Sequence, residues 1–473
     1  MAPHALDSET SYTANSTSQS DVDQPLKIIV VGAGIAGLSA AVGLRRAGHD
    51  VEIFEQSSFA NEIGAAIHLC PNASRIVLNW GLDPKKARFN VTQSGLTAQA
   101  NSLTPIYEAD YDHIESRYSA PWYLAHRVDL HNALKDLALQ DAGKGLPSKI
   151  RLRSKAISID YHSATVKLAD STIHKADLII AADGVHSTAV SQVTGHDTAA
   201  LPTGFSAFRF LIATEDILAD GQTKHILDGK DGKFKIYIGD GGRRLVWYPC
   251  RAGTIQNFVA IHPDNNQFGS IEEWNVNAKT SDVLQEFQSF HPDLVAAIGK
   301  ATDVKLWKLL YREPIPTWHR DRLLLIGDAA HPMLPHQGQG GAQSIEDGAA
   351  IGILLKGLKH GSANLDAEIA TRLSAFETVR RKRASLMQIY SNAGQDEAEK
   401  IRDEAAKFLG PGLKVPSECK PFCLPLVDGC TRNLSSEEPE LTRGNTLANQ
   451  AEFHEFNFGY DVVRESQALL ESL

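Results

Sequence analysis

The stretch that decides the fold is Ile-Ile-Val-Val-Gly-Ala-Gly-Ile-Ala-Gly, which occupies residues 28–37. A short β-branched run that enters a glycine-rich turn is typical of a buried parallel strand. Residues from about 36 to 47 then favour a helix that ends before Gly48, and residues 51–54 favour a second strand. The order strand, helix, strand predicts a parallel sheet with a right-handed crossover.

Each part of this turn has a physical use in dinucleotide binding. Gly32 makes the tight turn, Gly34 lets backbone N–H groups approach a pyrophosphate, and Gly37 allows the helix to pack closely on the strand. The helix N-terminus favours phosphate charge, and the carboxylate of Glu55, after the second strand, can accept ribose hydroxyls. A glycine triplet alone also fits an ordinary tight turn, but strand, helix and Glu55 together predict a dinucleotide site.

Length and charge narrow the class of protein. The 473 residues exceed one typical domain and suggest two or three units. The formal net charge of −10 argues against nucleic acid and anionic membranes as partners, because an acidic surface repels both. Residues 1–24 lack the basic start and apolar core of a secretory signal, so we expect a disordered leader. No apolar run is long enough for a membrane span, and the cytoplasm is the expected location.

The cysteines do not indicate a disulfide framework, because five in so long a chain are too few. Cys419, Cys423 and Cys430 are close enough in sequence to be considered as a metal site. No histidine flanks them, however, and prolines interleave them. We expect a proline-rich surface segment and no metal, with a set of metal ligands as the alternative.

Two further motifs, Asp183-Gly184 and Gly327-Asp328, each follow a short apolar run. Either motif alone fits an ordinary strand-end turn, but in this order they indicate that separated segments build one nucleotide domain. Between them, residues 201–306 contain alternating apolar and polar stretches broken by glycines, which is typical of antiparallel hairpins. The sequence therefore predicts a nucleotide domain interrupted by a β-rich insertion.

The chain resembles the group A flavoprotein monooxygenases of the para-hydroxybenzoate hydroxylase fold. It is most similar to their salicylate-hydroxylase-like branch, which includes fungal enzymes of secondary metabolism. The resemblance covers residues 26–387 and, more loosely, 456–461. Beside the motifs above, it rests on the segments 62–67, 71–73, 126–130 and 248–251. It implies an α/β fold in which a Rossmann-like FAD-binding domain is interrupted by an antiparallel β-sheet substrate domain and followed by C-terminal helices.

The expected domain boundaries follow from this fold. The FAD-binding domain would comprise residues 25–95, 121–200 and 306–390, and the substrate domain would comprise residues 96–120 and 201–305. Residues 391–473 would form a C-terminal helical segment that wraps the surface. The chain has one glycine fingerprint, which argues against a separate nicotinamide domain and favours transient binding of that cofactor at the flavin.

The resemblance implies a monooxygenase that binds FAD, takes electrons from NADH or NADPH, and uses O₂ to hydroxylate or epoxidise a small aromatic substrate. In the family, oxygen is transferred from a C4a-hydroperoxide of the reduced flavin. Val190 stands where the family usually carries an arginine, so the choice between NADH and NADPH stays open. The expected assembly is a monomer or a homodimer.

The resemblance also assigns residues to the cofactor. Glu55 would hold the adenosine ribose, and Arg127 would reach the pyrophosphate. Asp328 would bind the ribityl chain and the pyrophosphate region, while Asp183 and Gly184 would lie near both FAD and the nicotinamide. The remaining cofactor contacts would be Gly32, Gly34, Gly37, His68, Gly341 and Ala342. The last two would open a helix whose partial positive charge stabilises the reduced flavin ring.

Three other polar residues lie close to these motifs. Glu346 and Asp347 in the first turns of that helix suit its dipole, and a role at the flavin is an equal alternative. His331 belongs to the motif that begins at Gly327, and we expect it to be structural.

Three residues are candidates for catalysis. Arg209 lies between Phe208 and Phe210 on a predicted strand, so its side chain points away from both. A guanidinium that faces the flavin would stabilise a substrate phenolate; the alternative is a surface arginine. Tyr237, on another strand of the insertion, could relay the phenolic proton, and simple packing is an equal alternative. His68 is a candidate base, with a backbone contact to the flavin as its alternative.

Other functions fit the sequence less well. Within enzymes the alternative is a flavin-dependent oxidase or halogenase. No tryptophan of this chain stands in the Trp-x-Trp-x-Ile-Pro signature that halogenases carry. A non-catalytic carrier of the same fold would need only the glycine fingerprint, and it would not need the motifs at Asp183 and Asp328.

Overall fold

The computed structural model describes residues 24–59, 65–198, 200–227, 232–264, 275–392 and 454–473. Within these ranges the chain forms two large sheets and two sheets of three strands. No helix among the described residues is long and apolar enough to cross a membrane.

The first large sheet is parallel except at one edge. In order across the sheet, its strands are β19 (His319–Arg320), β20 (Leu323–Leu325), β12 (Leu178–Ala181), β1 (Lys27–Val31), β2 (Asp50–Phe54) and β8 (Lys149–Arg151). The β19–β20 pair alone is antiparallel in this sheet. The predicted strand, helix and strand are confirmed as β1, α1 (Ile35–Ala47) and the parallel strand β2.

Helices cover this sheet and form the largest hydrophobic core together with its strands. Their bounds are α2 (Pro71–Trp80), α4 (Arg127–Leu139), α5 (Ala189–Thr194), α9 (Gly340–Leu354), α10 (Leu365–Asn392) and α11 (Val462–Glu471). The short helix α3 (Ile114–Tyr118) packs on α2 and belongs to a separate core. α9 packs along α1, and α10 and α11 pack on α9. α11 lies within the segment 391–473, for which we predicted helical structure.

The second large sheet contains the β-rich insertion. In order, its strands are β17 (Asn275–Ala278), β18 (Val304–Tyr311), β13 (Leu201–Ala213), β16 (Ile255–Pro263), β15 (Arg244–Cys250), β14 (Lys233–Ile238), β5 (Ser94–Gln99) and β6 (Pro105–Asp110). The pair β5–β14 is parallel, so this sheet is mixed rather than purely antiparallel. β18 carries it to Tyr311, past the boundary expected at residue 305, and β5 brings it back to Ser94.

The two faces of the second sheet differ in what covers them. One face packs against α7 (Thr280–Glu286) and α8 (Pro292–Ile298) in a core that contains Phe208, Phe210, Tyr237, Trp247 and Phe258. The other face carries a smaller cluster formed by Ala207, Val259, Ile261 and Leu309 together with Leu334. Leu334 comes from the loop between β20 and α9, so this second face is turned toward the nucleotide sheet and borders the cleft between the two sheets.

Two small sheets, one short helix and three 3₁₀ turns make up the rest of the described structure. One small sheet has the order β3 (Ala66–Leu69), β7 (Tyr123–His126) and β4 (Asn90–Val91). The other has the order β11 (Ile173–Lys175), β10 (Thr165–Leu168) and β9 (Ala156–Asp160). A short helix, α6 (Thr214–Leu218), follows β13, and 3₁₀ turns occur at Lys224–Leu227, Gly327–Ala329 and Pro335–Gln337.

Candidate active site

The glycine turn after β1 has no room for side chains at two of its three glycines. Gly32 has a φ of +97°, and a Cβ there would lie 2.5 Å from the carbonyl oxygen of Ala182. A Cβ on Gly37 would lie 2.0 Å from the carbonyl oxygen of Gly32. The first turn of α1 is therefore pressed against the strand ends, the close packing that a dinucleotide turn needs.

Gly34 faces open space instead, because a Cβ there would meet no atom within 4 Å. Beside this space lies Glu55, whose Oε2 accepts the N–H of Ala33 at 2.8 Å and whose Oε1 accepts the N–H of Ser57 at 2.7 Å. The first N–H groups of a helix have no partner within the helix and attract anions. The open space, the start of α1 and the fixed carboxylate thus suit the pyrophosphate and ribose of FAD.

Asp328 and Asp183 lie at the carboxyl ends of the neighbouring strands β20 and β12. The side chain of Asp328 is accessible to solvent, but protein surrounds it on most sides. This desolvation raises the pKa of its carboxyl group. Asp328 therefore lines a cleft and does not lie on the outer surface. Burial also raises the pKa of Asp183, and its Oδ1 has no hydrogen-bond partner among the described residues. Gly184, which follows, has a φ of +86°. Two carboxyl groups in a cleft suit a hydroxyl-rich ligand, such as the ribityl chain of FAD.

Arg312 links the loops of these two aspartates and was missed in the sequence. Its Nη1 donates to the carbonyl oxygen of Ala329 at 2.9 Å, and its Nη2 donates to that of Val185 at 2.7 Å. The side chain thereby bridges two motifs that are far apart in the chain. No sequence pattern around residue 312 predicts these two contacts, because they depend on the position of the end of β18 in the folded chain.

The start of α9 lies against the strand that carries His68. A Cβ on Gly341 would lie 2.6 Å from Cδ1 of Ile67, and Ala342 is fully buried. Just before the helix, a Cβ on Gly338 would lie 3.1 Å from Cβ of His68. His68 is therefore adjacent to the helix N-terminus beside which we expect the flavin ring.

Arg127 lies close to two other candidate site residues, Asp328 and Arg209. It opens α4, and its backbone N–H donates to the carbonyl oxygen of Ala65 at 2.8 Å. Its positive charge partly offsets the burial that raises the pKa of Asp328. The pKa of Arg209 is lowered mainly by burial and further by the charge of Arg127. Arg127 therefore lies near both side chains.

Strand β13 presents Arg209 to the cleft. Phe208 and Phe210 lie in the core on one face, and Arg209 points to the other face, where Val259 is its partner on β16. The Nε atom of Arg209 is buried without a hydrogen-bond partner among the described residues. Its guanidinium carbon lies 4.7 Å from the centroid of the Trp307 ring. The predicted orientation of Arg209 away from the two phenylalanines is thus what the strand shows.

Tyr237 lies on the wrong face for the predicted proton relay. It pairs with Leu245, which pairs with Ala260, which in turn pairs with Phe208. Residues directly opposite each other in a sheet point to the same side, so Tyr237 shares the core face of Phe208. It is only 3% exposed and packs near Trp247. The structure therefore places Tyr237 away from the cleft, and the packing alternative accounts for it.

His68 lies in an aromatic cage. Its ring centroid is 4.6 Å from that of Tyr248 and 5.6 Å from those of Trp122 and Phe234. Burial lowers the pKa of His68 to about 3, so the imidazole is neutral near pH 7. A neutral imidazole can accept a hydrogen bond from a substrate hydroxyl, but burial disfavours its protonated form. Both the role as base and the backbone contact to the flavin stay predictions.

Two residues outside the sequence predictions hold the strand of His68 in place. Tyr248 Oη donates to the carbonyl oxygen of Ala66 at 3.0 Å, and Asn257 Oδ1 accepts the N–H of Ala66 at 2.9 Å. Tyr248 pairs with Asn257, and Asn257 pairs with Leu211, so both share the cleft face of β13. The segment 248–251 contributed to the family resemblance, but only the strand register shows that Tyr248 faces the cleft.

Glu346 and Asp347 differ from their expected role at the helix dipole. Both are fully buried, and Arg380 forms ion pairs with both. Arg383 pairs with Glu346 as well, at 2.8 Å. Because the two guanidinium groups compensate the charges of both carboxylates, the positive end of the helix dipole is not needed to stabilise them. His331 is also fully buried and contacts Asp347, which fits a structural role.

Some sequence predictions fall outside the described residues. These are residues 1–23 of the expected leader, residues 62–64 of the segment beside His68, and residues 393–453 of the C-terminal segment, which include the cysteines at 419, 423 and 430. In the part of the chain that the structure does describe, no group of three or more His, Cys, Asp or Glu side chains is placed to hold a metal ion.

Comparison with known proteins matches residues 25–388 to the family described as FAD binding domain. The FAD-dependent monooxygenase phomE' of Diaporthe leptostromiformis is 38% identical over 423 residues, which cover 89% of this chain and 97% of that protein. Hispidin-3-hydroxylase of Neonothopanus nambi is 30% identical over 419 residues, which cover 84% and 96%. A solved salicylate hydroxylase–substrate complex has the same fold, with a TM-score of 0.67 at 24% identity over 94% of this chain and 98% of that chain.

The matched region begins just before β1 and ends within α10, so it contains both large sheets and every residue proposed to contact FAD. The two curated relatives are similar over almost their whole length. The chain therefore belongs to the FAD-dependent monooxygenases that carry this FAD binding domain.

Proposed function

We propose that this chain hydroxylates a small phenolic or otherwise electron-rich aromatic compound, with FAD as its cofactor and NADH or NADPH as the reductant. One substrate C–H becomes C–OH, the second atom of O₂ leaves as water, and the nicotinamide supplies the two electrons. The names of two similar proteins, hispidin-3-hydroxylase and salicylate hydroxylase, support an aromatic substrate. The observation that carries the proposal is the orientation of Arg209 into the cleft.

On the cleft face of the second sheet, Arg209 has Lys305 of β18 directly opposite on one side and apolar neighbours on the other. Around Arg209 the same face carries Val259 and, through the strand register, Val246 and Ile236. A guanidinium in such surroundings is costly to desolvate unless an anion compensates it. Among the described residues no carboxylate forms an ion pair with Arg209, so a substrate phenolate is the compensating group that we propose.

Each residue then has a defined task. FAD, when bound, supplies the redox chemistry that activates O₂. Arg209 holds the substrate oxygen in its ionised form, which makes the ring electron-rich. His68, neutral near pH 7, orients a second hydroxyl by accepting its hydrogen bond. Glu55, Asp183 and Asp328 hold the hydroxyl groups of the cofactor.

The test is substrate-stimulated oxidation of NADH and NADPH over a panel of phenolic acids, pyrones and fused indoles, with the product mass recorded. We expect at least one phenolic compound to stimulate consumption and to yield a product heavier by one oxygen atom. Hydrogen peroxide formed together with an oxidised substrate, without consumption of NADH or NADPH, would favour the flavin-dependent oxidase instead. A chlorinated product in the presence of chloride would favour the halogenase.

The same proposal includes the division of the chain. With β5 and β18 assigned to the second sheet, the FAD-binding segments are 25–93, 121–200 and 312–390, and the substrate segments are 94–120 and 201–311. The monomeric or homodimeric state, the cytoplasmic location and the absence of nucleic-acid and membrane partners stay predictions from the sequence.

A further inference from the structure

Behind the cofactor cleft lies a buried cluster of charges that the proposed reaction does not use. It comprises Glu346 and Asp347 on α9 and Arg380 and Arg383 on α10, with His331 between β20 and α9. None of these five side chains is more than 5% exposed. Adjacent in sequence, the two carboxylates share Arg380 but otherwise contact different parts of the fold.

Asp347 contacts both ends of one turn. Its Oδ2 accepts the backbone N–H of Gly327 at 2.9 Å and lies 2.7 Å from Nε2 of His331. Its Oδ1 accepts Nε–H of Arg380 at 2.8 Å. Because an ionised carboxylate only accepts hydrogen bonds, Nε2 of His331 is the donor. The carboxylate thus receives three donors, two of them from the start and the end of the segment 327–331.

That segment carries Asp328, the proposed ligand of the ribityl chain. The carbonyl oxygen of Gly327 accepts the N–H groups of Ala330 and His331, which closes the turn on itself. Gly327 has a φ of +59°, and a Cβ there would lie 2.5 Å from Cβ of Ala36 in α1. The turn is therefore held from one side by Asp347 and from the other by the helix that begins at the glycine fingerprint.

Glu346 makes no contact with this turn. Its carboxylate accepts from Nδ2 of Asn72 at 2.6 Å and from Arg383 at 2.8 Å, and it pairs with Arg380. Arg383 in turn donates to the carbonyl oxygens of Phe456 and Asn457. Glu346 thus joins α2, α10 and the C-terminal segment, while Asp347 reaches the cofactor turn.

Both carboxylates are ionised in the fold. Burial by itself would raise the pKa of Asp347, but the charges of His331 and Arg380 and the hydrogen bonds from His331 and Gly327 together lower it. Burial is likewise outweighed at Glu346, where Arg383 and Arg380 lower the pKa. The two side chains therefore differ in what they contact, not in their charge.

We infer that Asp347 is a positioning residue for FAD: by holding both ends of the segment 327–331 it fixes Asp328 toward the cofactor, whereas Glu346 stabilises the fold alone. The inference rests on the proposed function only in taking FAD as the ligand at Asp328. Its readout is cofactor affinity, so the identity of the aromatic substrate does not enter.

The experiment compares Asp347→Asn with Glu346→Gln, two matched changes that each remove one charge from the same cluster. In Asp347→Asn the acceptor becomes neutral, so the bonds from the turn lose their charged partner whichever way the amide is oriented. Flavin is removed from each protein, FAD is titrated back while its fluorescence is followed, and the melting temperature of the flavin-free protein is measured separately.

We expect Asp347→Asn to raise the Kd for FAD about tenfold or more, since hydrogen bonds to a charged group are lost at the turn. Glu346→Gln should leave that Kd within about twofold of the original while lowering the melting temperature at least as much. Unchanged FAD affinity in Asp347→Asn, or equal loss of affinity in both variants, would overturn the inference.

A second variant keeps the test decisive if Asp347→Asn does not fold. His331→Phe preserves a ring beside Trp318, whose centroid lies 5.0 Å from that of His331, and removes only the donor to Asp347. The far end of the turn is then released while the bonds to Gly327 and Arg380 remain. We expect a measurable rise in the Kd for FAD, and His331→Asn, which restores an N–H donor, should recover part of the affinity. Wild-type affinity in His331→Phe would contradict the positioning role.

Discussion

The guanidinium of Arg209 lies over the ring of Trp307, with 4.7 Å between the guanidinium carbon and the ring centroid. The two residues belong to the neighbouring strands β13 and β18. A cation–π contact of this kind contributes about 0.5–2 kcal/mol, which offsets only part of the cost of placing a guanidinium in an apolar cleft. The contact holds the planar cation in place, and Nε has no hydrogen-bond partner among the described residues.

Replacing two glycines of the fingerprint should separate FAD binding from folding. A Cβ on Gly34 meets no protein atom within 4 Å, so flavin-free Gly34→Ala should melt like the unaltered flavin-free protein. The added methyl group would occupy space that the pyrophosphate needs, and we expect the Kd for FAD to rise about tenfold or more. Fluorescence titration of the flavin-free protein measures this Kd.

Gly37→Ala is the matched comparison. Its Cβ would lie 2.0 Å from the carbonyl oxygen of Gly32, so the flavin-free protein itself should lose about 1–3 kcal/mol of stability or fail to fold. If Gly34→Ala binds FAD as tightly as the original protein, the pyrophosphate does not approach the first turn of α1.

Two tyrosines of the second sheet should respond differently to loss of the hydroxyl group. Tyr248→Phe removes the hydrogen bond to the carbonyl oxygen of Ala66 and leaves a buried acceptor without its donor. Because Ala66 begins the strand of His68, we expect turnover to fall about tenfold, the equivalent of one such bond. Tyr237→Phe, on the opposite face, should change turnover by less than about twofold. Steady-state hydroxylation rates at saturating FAD compare the two, and the reverse order of effects would show that Tyr237 reaches the substrate after all.

Four histidines whose pKa the fold lowers strongly should make the fold sensitive to mild acid. Burial lowers the pKa to about 3 for His68 and to about 4 for His126, His336 and His454. Below about pH 6.5 the unfolded chain binds protons at these sites and the folded chain does not. The free energy of unfolding therefore falls as the pH drops from about 6.5 to about 4, by about 1.4 kcal/mol per pH unit for each histidine.

His454→Phe tests this acid sensitivity at one site. The ring of His454 stacks on Phe458 at a centroid distance of 4.6 Å, so phenylalanine preserves the packing. Urea unfolding at a series of pH values should show a slope of unfolding free energy smaller by about one proton. Tyr118→Phe provides the control, because the Tyr118 ring also contacts Phe458 and its loss removes no group that titrates in mild acid. An unchanged slope in His454→Phe would mean that this imidazole is protonated in the fold.

Part of this site could be predicted because its residues are close together in the sequence. One strand–helix–strand unit contains Gly32, Gly34, Gly37 and Glu55, and their spacing is enough to predict a dinucleotide site. The orientation of Arg209 was predictable for a similar reason, because Phe208 and Phe210 show which face of the strand is buried.

Other parts of the site depend on contacts that no local pattern records. Tyr237 has apolar neighbours on both sides, so its face is set only by the register from β14 through β15 and β16 to β13. From the sequence, Asp347 was predicted to interact with the helix dipole. Its actual partner, Arg380, lies 33 positions away on another helix, so no local pattern connects the two residues. Arg312 likewise joins two loops that meet only in the folded chain.

Arg209→Lys tests the central claim, that this arginine faces the flavin cleft and holds the ionised substrate. The lysine keeps the charge but lacks the planar fork, so a positioned contact to the substrate oxygen is lost. The control is Arg243→Lys, on the loop before β15, where the guanidinium pairs with Glu286 at 2.6 Å.

The decisive measurement is single-turnover formation of hydroxylated product by each purified, FAD-loaded variant with the phenolic substrate found in the panel. For Arg209→Lys we expect full FAD content, an unchanged melting temperature and a hydroxylation rate lower by about 10²–10³, with Arg243→Lys close to the original rate. Near-normal hydroxylation by Arg209→Lys would contradict the account and remove Arg209 from the active site.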